Sequence, residues 1–326
     1  MPILMIAGLL AAALAVAAAI GQVEPPQEPQ TGQAAGRTAG QVARRNRPEH
    51  PTTPSPSGQT LLKGAILALE SRRSVSAKIR YRVDLMGQRP VGSGVYSEQR
   101  SERGLLLRFE TRFQLAGEPS SLLQVCDGRY LWVYQKLGDE ESLSRIDVAR
   151  VEQELEESGE IGKIADVGWW PGLGGLTRLL RALHAAFEFT SVEEAQLADQ
   201  AGPVPVWRIQ GEWKPEKLAQ WLPNERKAGQ NGRAPDLSKL PRHLPDHVVL
   251  YLGKTDRFPY RIEYRRRAPK DQEAEGGSED RSLVTMELFD RNLNASIHPA
   301  NFLYSPGDLE CPDRTSQFIE KLGLAP

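Results

Sequence analysis

The residues with the clearest potential for chemistry are two histidines four positions apart, His243 and His247. This spacing places two imidazoles on one face of a helix, where they can hold Zn²⁺ with further ligands. Pro245 lies between them and breaks such a helix, and the sequence offers no obvious third ligand. It therefore predicts no metal site here. His184, two positions before an apolar stretch, is interpreted as a residue at the boundary of the core.

Two glycine-containing segments lack the spacing of catalytic motifs. Residues 159–163 have neither the glycine spacing nor the final Ser or Thr of a phosphate-binding loop, and Gly92-Ser93-Gly94 is not a G-x-S-x-G nucleophile elbow. The formal net charge of -1 gives no strongly basic face for nucleic acid. We therefore expect no enzyme activity, no cofactor and no nucleic-acid partner.

The chain has two cysteines, Cys126 and Cys311. In an oxidising compartment they could form a disulfide across a very long loop, for which the entropic model gives roughly 5 kcal/mol. The alternative is two buried free thiols. Spacing alone does not decide between them.

The N-terminus has the composition of an export signal. Residues 2–21 are almost entirely Ala, Leu, Ile and Val, and no charged side chain precedes Glu24. The small residues at 17–21 suit signal peptidase, so we expect a signal peptide over residues 1–21 and a periplasmic or secreted protein. An uncleaved N-terminal membrane anchor is the alternative, because the run lacks a leading Lys or Arg and is near the minimum of ~17 residues for a span.

A linker and one folded domain are expected to follow. Residues 22–58 are rich in Pro, Gln, Gly, Thr and Ser and have almost no large apolar residue. Such a segment buries too little surface to offset its ordering entropy, which predicts a disordered, semi-stiff tether. Residues 59–326 form the predicted domain, with polar insertions near 224–242 and 268–280 that we expect to be mobile surface loops.

Apolar periodicity predicts the first elements of this domain. Residues 60–73 have apolar residues at helical spacing, whereas residues 75–85 alternate between apolar and polar. Asp127-Gly128 predicts a type I′ hairpin turn. Because residues 105–115 have one apolar and one polar face, we expect an antiparallel sheet. Further strands are predicted at residues 91–99, 105–115, 121–126 and 130–135.

The second half repeats this pattern after a helical middle. Residues 147–158 predict an acidic helix, and an apolar loop over 168–175 leads into a leucine-striped helix. That helix must cover an apolar surface. A short helix is predicted at 215–222, and strands at 189–197, 204–213, 247–254, 260–267 and 282–290.

Two short segments resemble motifs of a known superfamily. The run from Leu122 to Tyr134, LLQVCDGRYLWVY, is similar to a strand pair around a DG turn followed by Trp and Tyr, and the run from Asn301 to Pro306 is similar to a late F-x-F-x-P element. The chain thereby resembles the LolA/LolB-like superfamily, which includes periplasmic lipoprotein carriers and outer-membrane lipoprotein-sorting proteins. The linker, the two insertions and the lack of a match to the carriers' lid-closing arginine depart from that pattern.

The resemblance implies an α+β, mainly β fold: an unclosed antiparallel β-barrel, or half-barrel, with helices covering its open side. It also implies an apolar cavity between curved sheet and helical lid. An exported envelope protein of this kind would bind a lipid or lipoprotein acyl chain, as a carrier in some members. The alternative is a periplasmic sensor or scaffold that uses the same fold to bind an envelope protein and has no carrier activity.

Within that fold, we expect the ligand to lie between residues of the strands and residues of the lid. For each residue, packing in an ordinary core is an equally good interpretation. The expected ligand contacts are Ile79, Tyr81, Phe109, Phe113 and Trp132 in the strands, and Trp169, Trp170, Leu176, Leu180 and Leu183 in the cover.

Overall fold

The computed structural model of the chain describes residues 56–84, 89–115, 117–158, 174–199, 202–223, 235–267, 280–322 and 324. The expected signal peptide lies outside these ranges, as do residues 22–55 of the expected linker. So do residues 224–234 and 268–279 of the two expected insertions.

A helix and a meander of six strands form the first half of the domain. Helix α1 (Gly58–Glu70) is capped by Ser57, whose hydroxyl accepts a hydrogen bond from the backbone N–H of Thr60 at 3.2 Å. Each strand of the meander pairs antiparallel with the next. The strands are β1 (Ser74–Val83), β2 (Val91–Ser101), β3 (Gly104–Leu115), β4 (Glu118–Asp127), β5 (Tyr130–Leu137) and β6 (Glu140–Asp147).

Two helices then lead into a second meander of five strands. Helices α2 (Val148–Glu157) and α3 (Gly175–Ala186) come first, and α4 (Pro215–Trp221) and α5 (Thr315–Lys321) follow later in the chain. No helix within the described ranges is long and apolar enough to cross a membrane. The strands are β7 (Phe187–Leu197), β8 (Val204–Trp213), β9 (His247–Gly253), β10 (Pro259–Arg266) and β11 (Arg281–Leu293).

The two meanders join into a single sheet of 11 strands in the order β6-β5-β4-β3-β2-β1-β11-β10-β9-β8-β7. The join is the antiparallel pairing of β1 with β11, so the first and last strands of the domain meet in the middle. Strands β6 and β7 are the two edges and do not pair with each other. The predicted fold, an unclosed antiparallel sheet with helices, is confirmed.

Strand β6 and the segment that covers it were not predicted. Its sequence EESLSRID has too few apolar residues for a clear alternation. The C-terminal segment runs beside it: the N–H of Arg145 donates to the carbonyl of Pro312 at 3.1 Å, and the N–H of Arg314 donates to the carbonyl of Arg145 at 2.8 Å. These bonds satisfy backbone groups that an open edge would otherwise expose to other chains.

The hairpin between β4 and β5 differs in detail from its prediction. Its loop residues are Gly128 and Arg129, since Cys126 pairs with Leu131. Gly128 has φ 94°, whereas Asp127 does not have a positive φ. A type I′ turn needs positive φ at both central residues, so that prediction is wrong. Asp127 instead accepts hydrogen bonds through Oδ1 from the N–H groups of Arg129 and Tyr130, at 2.9 and 2.8 Å.

The described end of the first predicted insertion is anchored to the domain. The guanidinium of Arg266 donates hydrogen bonds to the carbonyls of Pro241 at 2.7 Å and Leu240 at 2.9 Å, and Leu240 is buried. These bonds hold the segment at Pro241 and Leu240, while the mobility expected for the insertion stays a prediction. The apolar residues Leu240 and Leu244 within a polar segment were the signal for this anchoring.

Two glycines are expected to respond oppositely to alanine. A Cβ at Gly94 in β2 would overlap the carbonyl oxygen of Glu110 on β3, so Gly94→Ala should lower the free energy of unfolding by about 1–3 kcal/mol. At Gly64 in α1 a Cβ meets no atom within 4 Å. Gly64→Ala should therefore raise stability by about 0.5–1 kcal/mol. Urea unfolding of both variants checks this, and equal effects would contradict the close strand approach.

Candidate functional site

The predicted ligand contacts of β1 and β3 lie on one face of the sheet, which we call the inner face. Cross-strand pairing aligns Tyr81 with Gly92 and Gly92 with Phe113, and paired residues share a face. Ile79 and Phe109 lie two and four positions from these residues along their strands, on the same face. Ile79, Tyr81 and Phe109 are at most 2% exposed, and Phe113 is half-buried.

The leucines of α3 cover this inner face. Leu176, Leu180 and Leu183 are fully buried, in the same hydrophobic cluster as Ile79 and Phe109. The structure thus brings together six of the predicted contacts. In this state all six are packed core residues, which is the alternative that the sequence left open for each of them.

Trp132 lies on the other face of the sheet. Phe109 pairs with Gln124 and Gln124 with Val133, so Val133 faces inward and its neighbour Trp132 faces outward. The Trp132 ring lies 5.8 Å from the ring of Tyr304 in the C-terminal segment. The expectation that Trp132 lines the same space as Phe109 is therefore wrong. Trp169 and Trp170, the other two tryptophans of the predicted site, lie outside the described residues.

A buried polar group ties the start of α3 to the inner face. The hydroxyl of Tyr96 donates a short hydrogen bond to Oε2 of Glu98 and accepts one from the N–H of Leu176 at 2.9 Å. Gly175 has φ 75°, and a Cβ there would overlap the carboxylate of Glu98. Because Gly174 and Gly175 have no side chains, α3 can begin in contact with the buried carboxyl group of Glu98. The sequence analysis missed this contact between Tyr96, Glu98 and the N–H of Leu176. A charged residue, Glu98, at an inward-facing position of β2 could have indicated it.

Burial raises the pKa of Glu98, while the hydrogen bond from Tyr96 and the charge of Arg100 act in the opposite direction. A carboxyl with a raised pKa in the folded state contributes stability that is fully present below its unfolded pKa of about 4.3 and is lost as the pH rises through its folded pKa. Glu98 therefore favours folding more in acid than at neutral pH.

Glu98→Gln should remove this pH dependence. Its amide oxygen can still accept from Tyr96, so the stability of the variant relative to the wild type should increase as the pH rises from about 4 to 7. Chemical unfolding at several pH values measures the difference. The exposed Glu102→Gln serves as the control, and a difference for Glu98→Gln that does not change with pH would contradict the assignment.

A cleft of about 800 Å³ opens beside this group, between α3 and the inner-face ends of β2 and β3. Leu105 lines it and also packs against the main hydrophobic cluster. Arg181 lines it as well, and its Nε lies 2.9 Å from Oε1 of Glu70. Leu105 is thus the apolar side chain in a described lining that is otherwise charged, polar or glycine. The described lining of the cleft is Glu70, Glu98, Arg100, Leu105, Glu152, Gly174, Thr177, Arg178, Arg181 and His184.

The histidines considered at the outset lie in different places. His247 is buried in β9, with Nδ1 hydrogen-bonded to Asp246 and Nε2 3.3 Å from Oδ2 of Asp280. His243 precedes the strand in a turn. His184 lines the cleft and is half-buried, and burial together with the charges of Lys214 and Lys63 lowers its pKa. Among the described residues, no three His, Cys, Asp or Glu side chains are placed to hold a metal ion.

Both cysteines are free thiols, so the disulfide left open by the sequence is not formed. Cys126 is buried on the inner face, where it pairs with Leu107 and Leu131. Cys311 lies next to Pro312, which bonds to β6 at the edge of the sheet. Burial raises the pKa of the Cys126 thiol to about 11.

No protein-family profile and no curated protein matches the sequence. Among solved structures, lipoprotein LppX of Mycobacterium tuberculosis matches at 12% identity and a TM-score of 0.36, over 74% of this chain and 99% of that one. A DUF1329 family protein from Desulfovibrio piger matches at 10% and 0.31, over 76% and 96%.

A third match is a putative outer membrane lipoprotein-sorting protein domain from Vibrio parahaemolyticus, at 10% identity and a TM-score of 0.29, over 75% of this chain and 95% of that one. Because the identities and TM-scores are this low, what the chain binds must be inferred from its own residues.

Proposed function

We propose that the chain is an exported envelope protein that binds an apolar ligand, a lipid or a lipoprotein acyl chain, between the sheet and α3, as a carrier. The observation that carries this proposal is the cleft beside Leu105. Its volume of about 800 Å³ lies in the range of roughly 300–1,000 Å³ that ligand sites occupy. Its charged opening suits the polar end of an amphiphile, and the apolar inner face suits the chain.

In this proposal, the leucines of α3 must move away from the sheet when the ligand binds. Leu176, Leu180 and Leu183 are buried over the inner face, so an acyl chain that enters at Leu105 takes their place. Each methylene group of the ligand that leaves water gains about 0.8 kcal/mol. For a long acyl chain this gain offsets the loss of the leucine contacts.

Residues 1–21 act as the signal for export. N-terminal sequencing of the exported protein tests whether this signal is cleaved, and an intact Met1 would contradict cleavage.

Organic extraction of the full chain, purified after export, tests for ligand. Mass spectrometry should find bound lipid, and the extracted protein should take up a fluorescent fatty acid. Empty extracts together with no uptake would overturn the proposal. If the extracts are empty and no fatty acid is taken up, crosslinking of the chain to an envelope protein would favour the sensor or scaffold alternative.

A tryptophan at position 105 should fill the cleft. We expect Leu105→Trp to weaken fluorescent fatty-acid binding by about tenfold, because the larger ring occupies space that the ligand needs. Val95→Trp is the control, since Val95 is exposed on the outer face of the neighbouring strand. Titration of both variants measures the effect, and unchanged binding by Leu105→Trp would place the ligand elsewhere.

A further inference from the structure

Helix α3 turns a polar face to the cleft beside Leu105. Thr177, Arg178 and His184 each lie three to four positions from Arg181, and all four residues line the cleft. Residues at this spacing are neighbours on one face of a helix. The buried leucines of α3 lie on a different face, against the sheet. The helix therefore separates an apolar face, which covers the sheet, from a polar face, which borders the cleft.

A third arginine lies on the sheet side of the cleft, next to its apolar lining residue. Arg100 on β2 pairs with Leu105 on β3, and the Cβ atoms of such a pair are about 4.5–5.5 Å apart. Arg100 is exposed, whereas Leu105 packs against the main hydrophobic cluster. A cationic group and an apolar side chain thus lie side by side, which is the arrangement that an anionic amphiphile requires.

Two buried polar atoms on the polar face of α3 have no hydrogen-bond partner in the part of the chain that the structure describes, Oγ1 of Thr177 and Nε2 of His184. Buried polar atoms in folded proteins nearly always have a partner. Because burial and the charges of Lys214 and Lys63 lower the pKa of His184, its ring is neutral at neutral pH and can donate through Nε2. A hydroxyl and an imidazole N–H both suit a ligand rich in oxygen.

Three carboxyl groups also line the cleft, and their charge is partly compensated. Glu70 accepts a hydrogen bond from Nε of Arg181 at 2.9 Å. Burial raises the pKa of Glu98, so this group carries charge less readily than an exposed carboxyl. Burial lowers the pKa of Arg178, the charge of Glu152 opposes this only in part, and the charge of Arg181 adds to it. A further negative charge beside Arg178 would therefore be stabilised.

We propose that this cleft binds the anionic head group of a lipid, so that the protein selects phosphate-bearing amphiphiles over neutral ones with the same chain. The groups that contact the head group are Arg100, Thr177, Arg178, Arg181 and His184. Guanidinium groups form paired hydrogen bonds with phosphate oxygens. This inference rests on the proposed function, because the acyl chain must extend from the cleft along the inner face. It adds the charge of the head group that the site selects.

A matched pair of amphiphiles tests this head-group subsite. 1-Palmitoylglycerol 3-phosphate and 1-palmitoylglycerol share the acyl chain and differ in the phosphate. Each is titrated, below the concentration at which it forms micelles, against the full chain loaded with an uncharged fluorescent monoacylglycerol. We expect the wild type to favour the phosphate by at least about tenfold. In the Arg100→Gln/Arg178→Gln double variant the ratio should fall to about one.

The Arg82→Gln/Arg112→Gln double variant is the matched control. It removes the same charge from two exposed positions on the outer face of the sheet, so its ratio should equal that of the wild type. Unfolding midpoints of both double variants establish that each is folded. Arg100→Gln alone changes an exposed residue and leaves Arg178 in place, and it should already lower the ratio by about threefold or more.

The outcomes separate the subsite from the proposed function. Equal binding of the two lipids by the wild type overturns the subsite, as does a preference that persists in the Arg100→Gln/Arg178→Gln variant or falls equally in the control, while the proposed function stands. Glycerol 3-phosphate should displace the probe far more weakly than the lipid phosphate. If it displaces the probe equally well, the cleft is a site for free phosphate esters and the subsite is overturned. If neither lipid binds, the proposed function fails and the subsite fails with it.

Discussion

Leu180→Ala is expected to lower the free energy of unfolding by about 2–5 kcal/mol, among the largest effects of any single substitution in α3. The Leu180 side chain is fully buried between the helix and the inner face. Its truncation removes apolar contacts and leaves a cavity that the surrounding core fills only in part. Urea or guanidinium unfolding at neutral pH measures the loss.

Leu67→Ala provides the matched control, because Leu67 also lies in a helix but is 65% exposed. Its effect should stay within about 0.5 kcal/mol. If Leu180→Ala is as mild as this control, α3 does not pack on the sheet as described. The cover of leucines over the inner face, on which the proposed function depends, would then be wrong.

Tyr96→Phe is expected to lower the free energy of unfolding by about 2–4 kcal/mol. The Tyr96 hydroxyl donates to the carboxylate of Glu98 and accepts from the N–H of Leu176. Its removal leaves the buried Glu98 carboxyl and the buried N–H of Leu176 without this partner, which costs far more than the loss of an exposed bond. The same unfolding experiments apply.

Tyr81→Phe is the control for this prediction, since Tyr81 and Tyr96 are both almost fully buried on the inner face. The Tyr81 hydroxyl meets only the neutral hydroxyl of Thr111, and no charged group or backbone N–H among the described residues. Its removal should therefore change stability by less than about 1 kcal/mol. Equal losses from the two substitutions would show that Tyr96 does not hold α3 to the sheet.

The sheet and most of its elements could be predicted because alternation is a local property of the chain. The alternation in residues 75–85 and 105–115 corresponds to β1 and β3, and the leucine spacing after residue 175 corresponds to α3. Strand β6 escaped prediction because it has too few apolar residues to alternate, and its outer edge is completed by hydrogen bonds to the C-terminal segment. That contact joins residues far apart in the chain, so no local pattern reports it.

The inner face shows a similar limit. Ile79, Tyr81 and Phe109 were identified as inward-facing from their own strands, and the structure agrees. The sequence analysis expects Trp132 to contact the same ligand. On β5, Leu131 on the inner face is buried in the core and Trp132 on the outer face meets the ring of Tyr304, so hydrophobicity alone could not choose the face of Trp132.

By itself, the sequence determined the antiparallel sheet, the leucine-striped helix and the lack of a recognisable catalytic motif, because composition and periodicity depend on near neighbours in the chain. Only the tertiary structure decided that Glu98 meets Tyr96 and the start of α3, and that a cleft opens beside Leu105. Each of these depends on strand register and helix docking, which bring together residues that are distant in the chain.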